Sequence, residues 1–269
     1  MDAIDQVRAY YDENTEKEWL RMERHPFEFL LTQWMMDKYI KPGDTVLDIG
    51  GGPGRYSLYY REKGCPVTLL DLSPGNIAWA KKEADARGLT LDARVCNCLE
   101  LEGQDLPLYD HVLLMGPLYH LTDAGEQRRA VELALRQLKP GGVFYCSFIL
   151  DFAGLIYDMS YGPGILPQDL ADPATGALID SITQRTLYRG PAFTSACFIN
   201  QAQIEPFMAP FGLKKLHLFG QEGILSPLEQ RIKTYPQEEI DLWVETAKKL
   251  LELPEFLSWA QHAMYIGRK

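Results

Sequence analysis

An α/β fold built on a doubly wound, mostly parallel seven-stranded sheet is what this sequence predicts, and three observations carry the prediction. Short apolar runs alternate with helical stretches between residues 45 and 149, the βαβ pattern of a parallel sheet covered on both faces. A glycine cluster, Gly50-Gly51-Gly52-Pro53-Gly54, follows the first apolar run without a break. The second run ends on a carboxylate, Asp71, about 20 residues further on.

Taken in order, residues 1–40 read as an N-terminal helical cap. Trp19, Met22, Phe27, Phe29, Leu30, Leu31, Trp34, Met35 and Tyr39 recur at helical spacings, and His25-Pro26 punctuates the run. Residues 41–150 read as the α/β core, with strands at 45–49, 67–70, 92–95, 111–115 and 142–149. A helix starts near Arg55; Ser73-Pro74 supplies an N-cap with proline at the first helical position, and Gly88 closes that helix. Thr122 caps a helix running to about residue 138, which Pro140-Gly141-Gly142 terminates.

The alternation then fails. Residues 151–193 read as a lid or substrate insertion dense in Tyr157, Tyr161, Gly162, Pro163, Gly164, Pro167 and Pro173, and a structureless stretch of that length is uncommon outside binding loops and lids. Residues 194–269 complete the sheet: 194–199 extended, Asn200 and Gln203 as a capping box for a helix to about 211, then strands at 213–218 and 262–266. A second insertion at about 224–260 is helical from 237 to 251. The expected strand order is 3-2-1-4-5-7-6.

Charge and composition narrow the function classes. In 269 residues, 27 Lys and Arg face 37 Asp and Glu, a net charge of −10, and basic stretches such as Lys81-Lys82 and Lys214-Lys215 are short and isolated. Such a chain repels phosphate backbones, so nucleic acid is not an expected partner. Apolar residues at 46% and charged residues at 24% exclude a mostly disordered chain. No apolar run approaches the ~20 residues that span a bilayer, and the acidic start MDAIDQVRAYYDE is unlike a secretory signal, so a cytoplasmic protein with no membrane insertion is expected. Cysteines at 65, 96, 98, 146 and 197 are odd in number and scattered, which reads as reduced thiols.

The glycine turn and Asp71 together define a nucleoside site. Glycines let a ligand approach the main chain, and a carboxylate at the neighbouring strand tip accepts hydrogen bonds from both ribose hydroxyls. A dinucleotide fingerprint is G-x-G-x-x-G, whereas Gly50, Gly52 and Gly54 form G-x-G-x-G and Arg55 stands at the third dinucleotide position. The spacing favours a nucleoside without phosphates over NAD.

In these residues the sequence resembles the class I S-adenosylmethionine-dependent methyltransferases, within them the small-molecule branch of the ubiquinone and menaquinone biosynthesis enzymes. The resemblance covers residues 45–150 in four blocks: Leu47-Asp48-Ile49-Gly50-Gly51-Gly52-Pro53-Gly54-Arg55, Leu70-Asp71-Leu72-Ser73-Pro74, the stretch from Tyr109 to Leu121, and Leu138-Lys139-Pro140-Gly141-Gly142. It implies a Rossmann-like sheet and S-adenosyl-L-methionine as cofactor, with S-adenosyl-L-homocysteine as product. The backbone of Gly50, Gly51 and Gly52 would hold the methionine moiety, Asp71 the ribose diol and Leu72 the adenine, with Asp48 also among the cofactor-binding residues. Asn97-Cys98 replaces the family's usual Asp-Ala, with the Asn97 amide as substitute for the adenine amino contact. Met115 and Gly116 would floor the cofactor, Tyr119 and His120 would stand beside the sulfonium, and Tyr11, Trp19 and Arg21 would approach from the helical cap, Arg21 matching a carboxylate with its planar fork.

Because the sulfonium already makes the methyl electrophilic, the protein mainly aligns a nucleophile and excludes water. His120 is the candidate general base, with a backbone-bonding role as its alternative. His217 reads as structural, and Glu222 and His262 read equally as site or as surface groups. Cys96-x-Cys98 shares one face if strand-borne, but small buried thiols without partners argue for packing, and no metal is expected. Phe152, Tyr157, Tyr161, Tyr188, Phe193 and Phe198 offer aromatic surface for a small aromatic or lipophilic acceptor, with Tyr157, Tyr161 and Phe193 its candidate contacts. An NAD-dependent oxidoreductase and a non-catalytic cofactor-binding sensor or scaffold are the competing function classes.

Overall fold

In the computed structural model, which describes residues 3–162, 164 and 171–269, nine strands form one sheet. Its parallel part runs β3-β2-β1-β4-β5, made of β1 (Val46–Ile49), β2 (Val67–Asp71), β3 (Asp92–Val95), β4 (Tyr109–Leu114) and β5 (Leu138–Leu150). Every residue of β1 and β2 is buried, as continuous apolar strands covered on both faces require. Ile49 pairs with Leu70 on one side and Leu114 on the other, so the glycine turn, Asp71 and Met115 leave the sheet at one end. That end is the crevice where the winding reverses about β1, the usual ligand position in open parallel sheets.

Beyond β5 the sheet branches. β9 (His262–Arg268) lies antiparallel along residues 143–149, and β8 (Lys214–Gly220) lies antiparallel outside it, which is the expected outer pair of the seven-stranded order. The last two residues of β5 instead pair in parallel with β7 (Ser195–Ile199), itself hairpinned to β6 (Tyr188–Pro191). Among the described residues the sheet thus has nine strands, not seven. β6 escapes a sequence reading because it is four residues of Tyr-Arg-Gly-Pro on an edge, where proline costs no ladder bond.

Four short helices precede the sheet: α1 (Ala3–Glu13), α2 (Thr15–Trp19), α3 (Arg21–Arg24) and α4 (Pro26–Met36). α4 buries Phe27, Leu31, Met35 and Met36 against Val46, Leu113, Tyr145 and Met264, which at ~1.5–3 kcal/mol per large side chain anchors this region firmly to the sheet. α5 (Arg55–Glu62) follows the glycine turn, and α6 (Pro74–Ala86) starts at Ser73, whose Oγ accepts from the Asn76 backbone N–H as the sequence predicts. Asp12 of α1 accepts from Ser73 Oγ and from the Gly75 N–H at 3.0 Å, tying the N-terminal helices across the crevice mouth.

Several local readings change. The cap of α7 (Ala124–Arg136) is Asp123, not Thr122; its Oδ1 accepts from the Gly125 and Glu126 N–H groups, where a negative charge also suits the helix dipole. α7 ends before Leu138, and Pro140-Gly141-Gly142 already belongs to β5. Asn200 caps α10 (Gln201–Met208), but Gln203 does not close the box: its Oε1 is buried without a partner among the described residues. The stretch after β5 is not structureless, since it forms α8 (Ala153–Tyr161) and α9 (Pro173–Gln184), the latter capped by Asp172. Pro163 and Pro167 lie outside the described residues. Among the described residues no helix is long and apolar enough to cross a membrane.

Candidate active site

Neighbouring side chains packed against Gly50 and Gly51 make the turn after β1 a glycine site. A Cβ on Gly50 would stand 2.3 Å from Pro117 Cγ, and one on Gly51 would stand 2.4 Å from Asp48 Oδ2. The chain there passes too close to its own neighbours for any side chain. The Gly52 N–H donates to Asp71 Oδ2 at 2.8 Å, which joins the turn to the tip of β2. Asp71 Oδ1 accepts from the Ser73 N–H at 2.9 Å and from Asn76 Nδ2 at 3.1 Å. A carboxylate has about four acceptor positions, so protein groups occupy three and a diol would take the remaining one or replace Gly52. Burial pushes the Asp71 carboxyl up, opposed by those hydrogen bonds. Asp48, beneath the turn, is pushed up to about 6 by burial, with Ser57 Oγ donating to it and the Asp71 charge adding to the rise.

Around this turn lies a narrow cavity. Asp48, Gly50, Gly51, Gly52, Asp71 and Leu72 line it from β1 and β2; Asn97 and Cys98 line it after β3; Met115, Gly116, Tyr119 and His120 line it after β4; and Tyr11 and Arg21 line it from the N-terminal helices. Trp19 does not. It is buried against Leu58 and Ala84, with the Arg55 guanidinium 4.5 Å and that of Arg87 5.4 Å from its ring centroid, so it is a packing residue of α2. Asn97 reaches the cavity, yet its Oδ1 also accepts from the Leu99 N–H at 3.0 Å as a helix cap. Cys96 and Cys98 are not strand-borne, because β3 ends at Val95; burial raises their thiols to about 11 and about 12, leaving them protonated. Two further lining residues, Asn76 and Gln221, each carry a buried amide oxygen with no protein partner among the described residues. An unmet buried acceptor costs about 1–3 kcal/mol, so both fit a ligand that brings hydroxyl or ammonium donors.

A second, wider cavity of about 730 Å³ adjoins the first and shares Tyr11, Glu18, Arg21, Tyr119 and His262 with it. Tyr157, Tyr161 and Phe193 all line it, as does Phe198, whereas Phe152 does not and Tyr188 is packed into the core beside Ile149, its hydroxyl donating to the Pro191 carbonyl. Tyr157 and Tyr161 lie with ring centroids 4.4 Å apart, and Phe193 meets Tyr10 and His120 edge-on. The volume suits a small organic molecule.

The two histidines of the crevice differ in their partners. His120 has both ring nitrogens engaged: Nε2 with Tyr11 OH at 2.8 Å and Nδ1 with Thr194 Oγ1 at 2.9 Å. Burial lowers it to about 4, so it is a neutral ring bridging α1 to the segment before β7. Opposite it, a charged cluster has no counterpart in the sequence reading. Arg21 donates in a fork to Glu28, at 2.6 and 2.8 Å, and through Nε to Glu18 at 2.9 Å. Its fork is therefore already engaged by a buried carboxylate, leaving one N–H on each terminal nitrogen for a ligand. Glu222 and His262 are not surface groups: Glu222 is 1% exposed, and its carboxylate accepts from His262 Nδ1 at 2.6 Å and from the Gln261 and His262 N–H groups. Glu28, Glu222 and His262 bring three potential donor atoms within 4.8 Å of one another, with Arg21 covering Glu28. No signal in the sequence pairs these positions, because they lie on α3, on α4, after β8 and at the start of β9.

Residues 46–142 match a protein-family profile described as a methyltransferase domain. Over 103 residues the chain is 35% identical to a ubiquinone biosynthesis O-methyltransferase of Caulobacter vibrioides, a match covering 38% of this chain and 40% of that protein. The matched stretch is thus less than half the length of this curated relative. Among solved structures, magnesium protoporphyrin IX methyltransferase from Synechocystis with bound S-adenosylhomocysteine superposes over 100% of both chains with a TM-score of 0.60 at 14% identity. The 1,6-didemethyltoxoflavin N1-methyltransferase of Burkholderia thailandensis superposes over 98% of this chain and 88% of that one, with a TM-score of 0.59 at 16% identity. The class I methyltransferase fold expected from the four sequence blocks is the fold observed.

Proposed function

We propose that this chain, with its methyltransferase domain over residues 46–142, transfers the methyl group of S-adenosyl-L-methionine to a hydroxyl of a small aromatic or lipophilic acceptor. The observation that carries the reading is the union of two cavities. A glycine turn bonded to a strand-tip carboxylate sits in one, and an aromatic chamber opens from it past Tyr11, Tyr119 and His262. O-methylation is the activity in the name of the Caulobacter relative.

In this reading the first cavity receives the cofactor. Asp71 and Asn76 face the ribose, Leu72 and Asn97 the adenine, and Gln221 with the free N–H groups of Arg21 the amino-acid end. When bound, the cofactor supplies a methyl group already activated by the positive sulfur, so the chain's own residues orient and desolvate. Tyr157, Tyr161 and Phe193 hold the acceptor ring in the wide cavity. The five cysteines are free and buried, which fits a cytoplasmic setting, and the net charge of −10 fits a small-molecule partner better than nucleic acid.

Titration of the purified protein with S-adenosylhomocysteine in a calorimeter, with NADH as competitor, tests the cofactor. Saturable heat unaffected by NADH is expected; no heat from S-adenosylhomocysteine overturns the reading. Release of S-adenosylhomocysteine over a panel of catechols, phenols and quinols then tests the acceptor class, and separates turnover from a sensor that only binds.

A further inference from the structure

Of the five histidines, four have both ring nitrogens occupied by protein groups. His25 lies between Glu229 and Tyr161, His111 between Asp44 and Tyr145, His120 between Tyr11 and Thr194, and His217 between Tyr39 and Glu252. His262 is the exception among the described residues: Nδ1 is bonded to Glu222 at 2.6 Å, and no protein group bonds Nε2. A carboxylate only accepts, so Nδ1 carries the hydrogen and the lone pair of the neutral ring is on Nε2. This ring is part of the wall shared by the narrow cavity and the aromatic chamber.

We propose that His262 takes the proton of the acceptor hydroxyl at Nε2 and that Glu222 is its positioning residue, an assignment that rests on the methyl-transfer reading above. The acceptor O–H bond breaks and its proton passes to Nε2. The oxygen lone pair forms the new O–CH₃ bond, and the pair of the broken S–CH₃ bond stays on sulfur, turning a sulfonium into a thioether. The proton is released from imidazolium to solvent before the next cycle. A buried carboxylate behind one nitrogen fixes both the tautomer and the ring plane, the arrangement that suits a histidine to general-base work.

The charged and titratable groups facing the ring are Glu222 from the turn after β8, Glu28 at 4.0 Å from α4, Arg21 from α3 and Tyr119 at 6.3 Å between ring centroids. Burial lowers the imidazole, but the two carboxylates more than offset it and Arg21 only partly opposes them, so the ring titrates above its usual 6.5. As a base it works once neutral, and the rate therefore rises with pH through a limb placed above pH 6.5. A cationic ligand in the adjoining cavity drives that midpoint down.

The test follows the imidazole by nitrogen NMR in the whole protein, first saturated with S-adenosylhomocysteine and then with S-adenosylmethionine. One histidine, absent in His262→Asn, is expected to titrate above pH 6.5 and to shift to lower pH with the sulfonium ligand; Glu222→Gln lowers its midpoint in both. Kinetically, His262→Asn is expected to lose about 10²–10⁴ in kcat with 4-methylcatechol and less with the more acidic 4-nitrocatechol, to lose the alkaline-rising limb, and to keep its S-adenosylhomocysteine affinity. A midpoint indifferent to the two ligands, or a limb that survives in His262→Asn and disappears in His120→Asn, overturns the assignment while leaving the cofactor reading intact. Failure of the wild-type protein to bind S-adenosylhomocysteine removes both together.

Discussion

The two walls of the crevice are built on opposite principles. The wall at the tips of β1 and β2 is made by the main chain: Gly52 N–H on Asp71, Asp48 under Gly51, and Ser73 opening α6, all within residues 48–76. The facing wall is made by side chains that come from residues 18 to 28 and from residues 221 to 262, joined as Arg21–Glu28 and Glu222–His262. The first wall can keep its shape because a Cβ or a changed turn would collide with it. The second keeps its shape because each buried charge requires its partner. They respond to substitution differently: removing Asp71 from the first should cost ligand, and removing Arg21 from the second should cost fold.

The largest expected effect probes the second wall. Arg21→Ala leaves Glu28, 3% exposed, with its principal counter-charge gone, and should lower the unfolding free energy by about 3–5 kcal/mol in denaturant titrations. Adding Glu28→Gln should recover much of that loss. A single variant within about 1 kcal/mol of wild type would mean the cluster is not a coupled unit.

Asp48 sharpens the contrast through pH. Its carboxyl stands near 6 in the folded protein against an ordinary 3.8, so folding favours the protonated form and ionisation costs stability. The sign follows: the cost is fully present above pH 6 and is relieved as pH falls toward 3.8. The stability of Asp48→Asn relative to wild type should therefore rise by up to about 3 kcal/mol between pH 4 and pH 7, read from thermal or urea melts. A flat difference would show that Asp48 is ionised without penalty.

On the first wall, Asp71→Ala should weaken S-adenosylhomocysteine binding by about 2 kcal/mol, some thirtyfold, by loss of a buried charge-assisted acceptor and of the Gly52 anchor. An unchanged dissociation constant in calorimetry would place the ligand's grip on the opposite wall. The smallest effect concerns the bridge at His120. Thr194→Val removes one hydroxyl partner of a neutral imidazole and should cost about 1 kcal/mol, with the pH–rate limb left in place. Displacement of that limb would return His120 to the chemistry.

How far each region could be read beforehand follows the same division. The glycine turn, Asp71 and the Ser73 cap are recognisable because a few adjacent residues satisfy one another's sterics and hydrogen bonds. Trp19 misleads because an aromatic on an amphipathic helix looks the same whether it meets a ligand or, as here, Arg55 and Leu58. Arg21 looks like a free carboxylate receptor until Glu28 is seen in its fork. β6 hides because an edge strand of four residues has no periodicity to detect.

From its residues alone, then, this chain specifies the parallel core, the bend that admits a nucleoside and the acid beside it, since short-range geometry dictates each. Folding in three dimensions decided which histidine keeps an open nitrogen, which carboxylates are neutralised, and where the aromatic chamber meets the narrow cleft. Part of this depends on partners that arrive from far along the chain, Glu222 for His262 from 40 positions away and His262 for Glu28 from 262 − 28 = 234. Charge and hydrogen bonding act through space, and spacing along the sequence carries no record of them until the sheet is assembled.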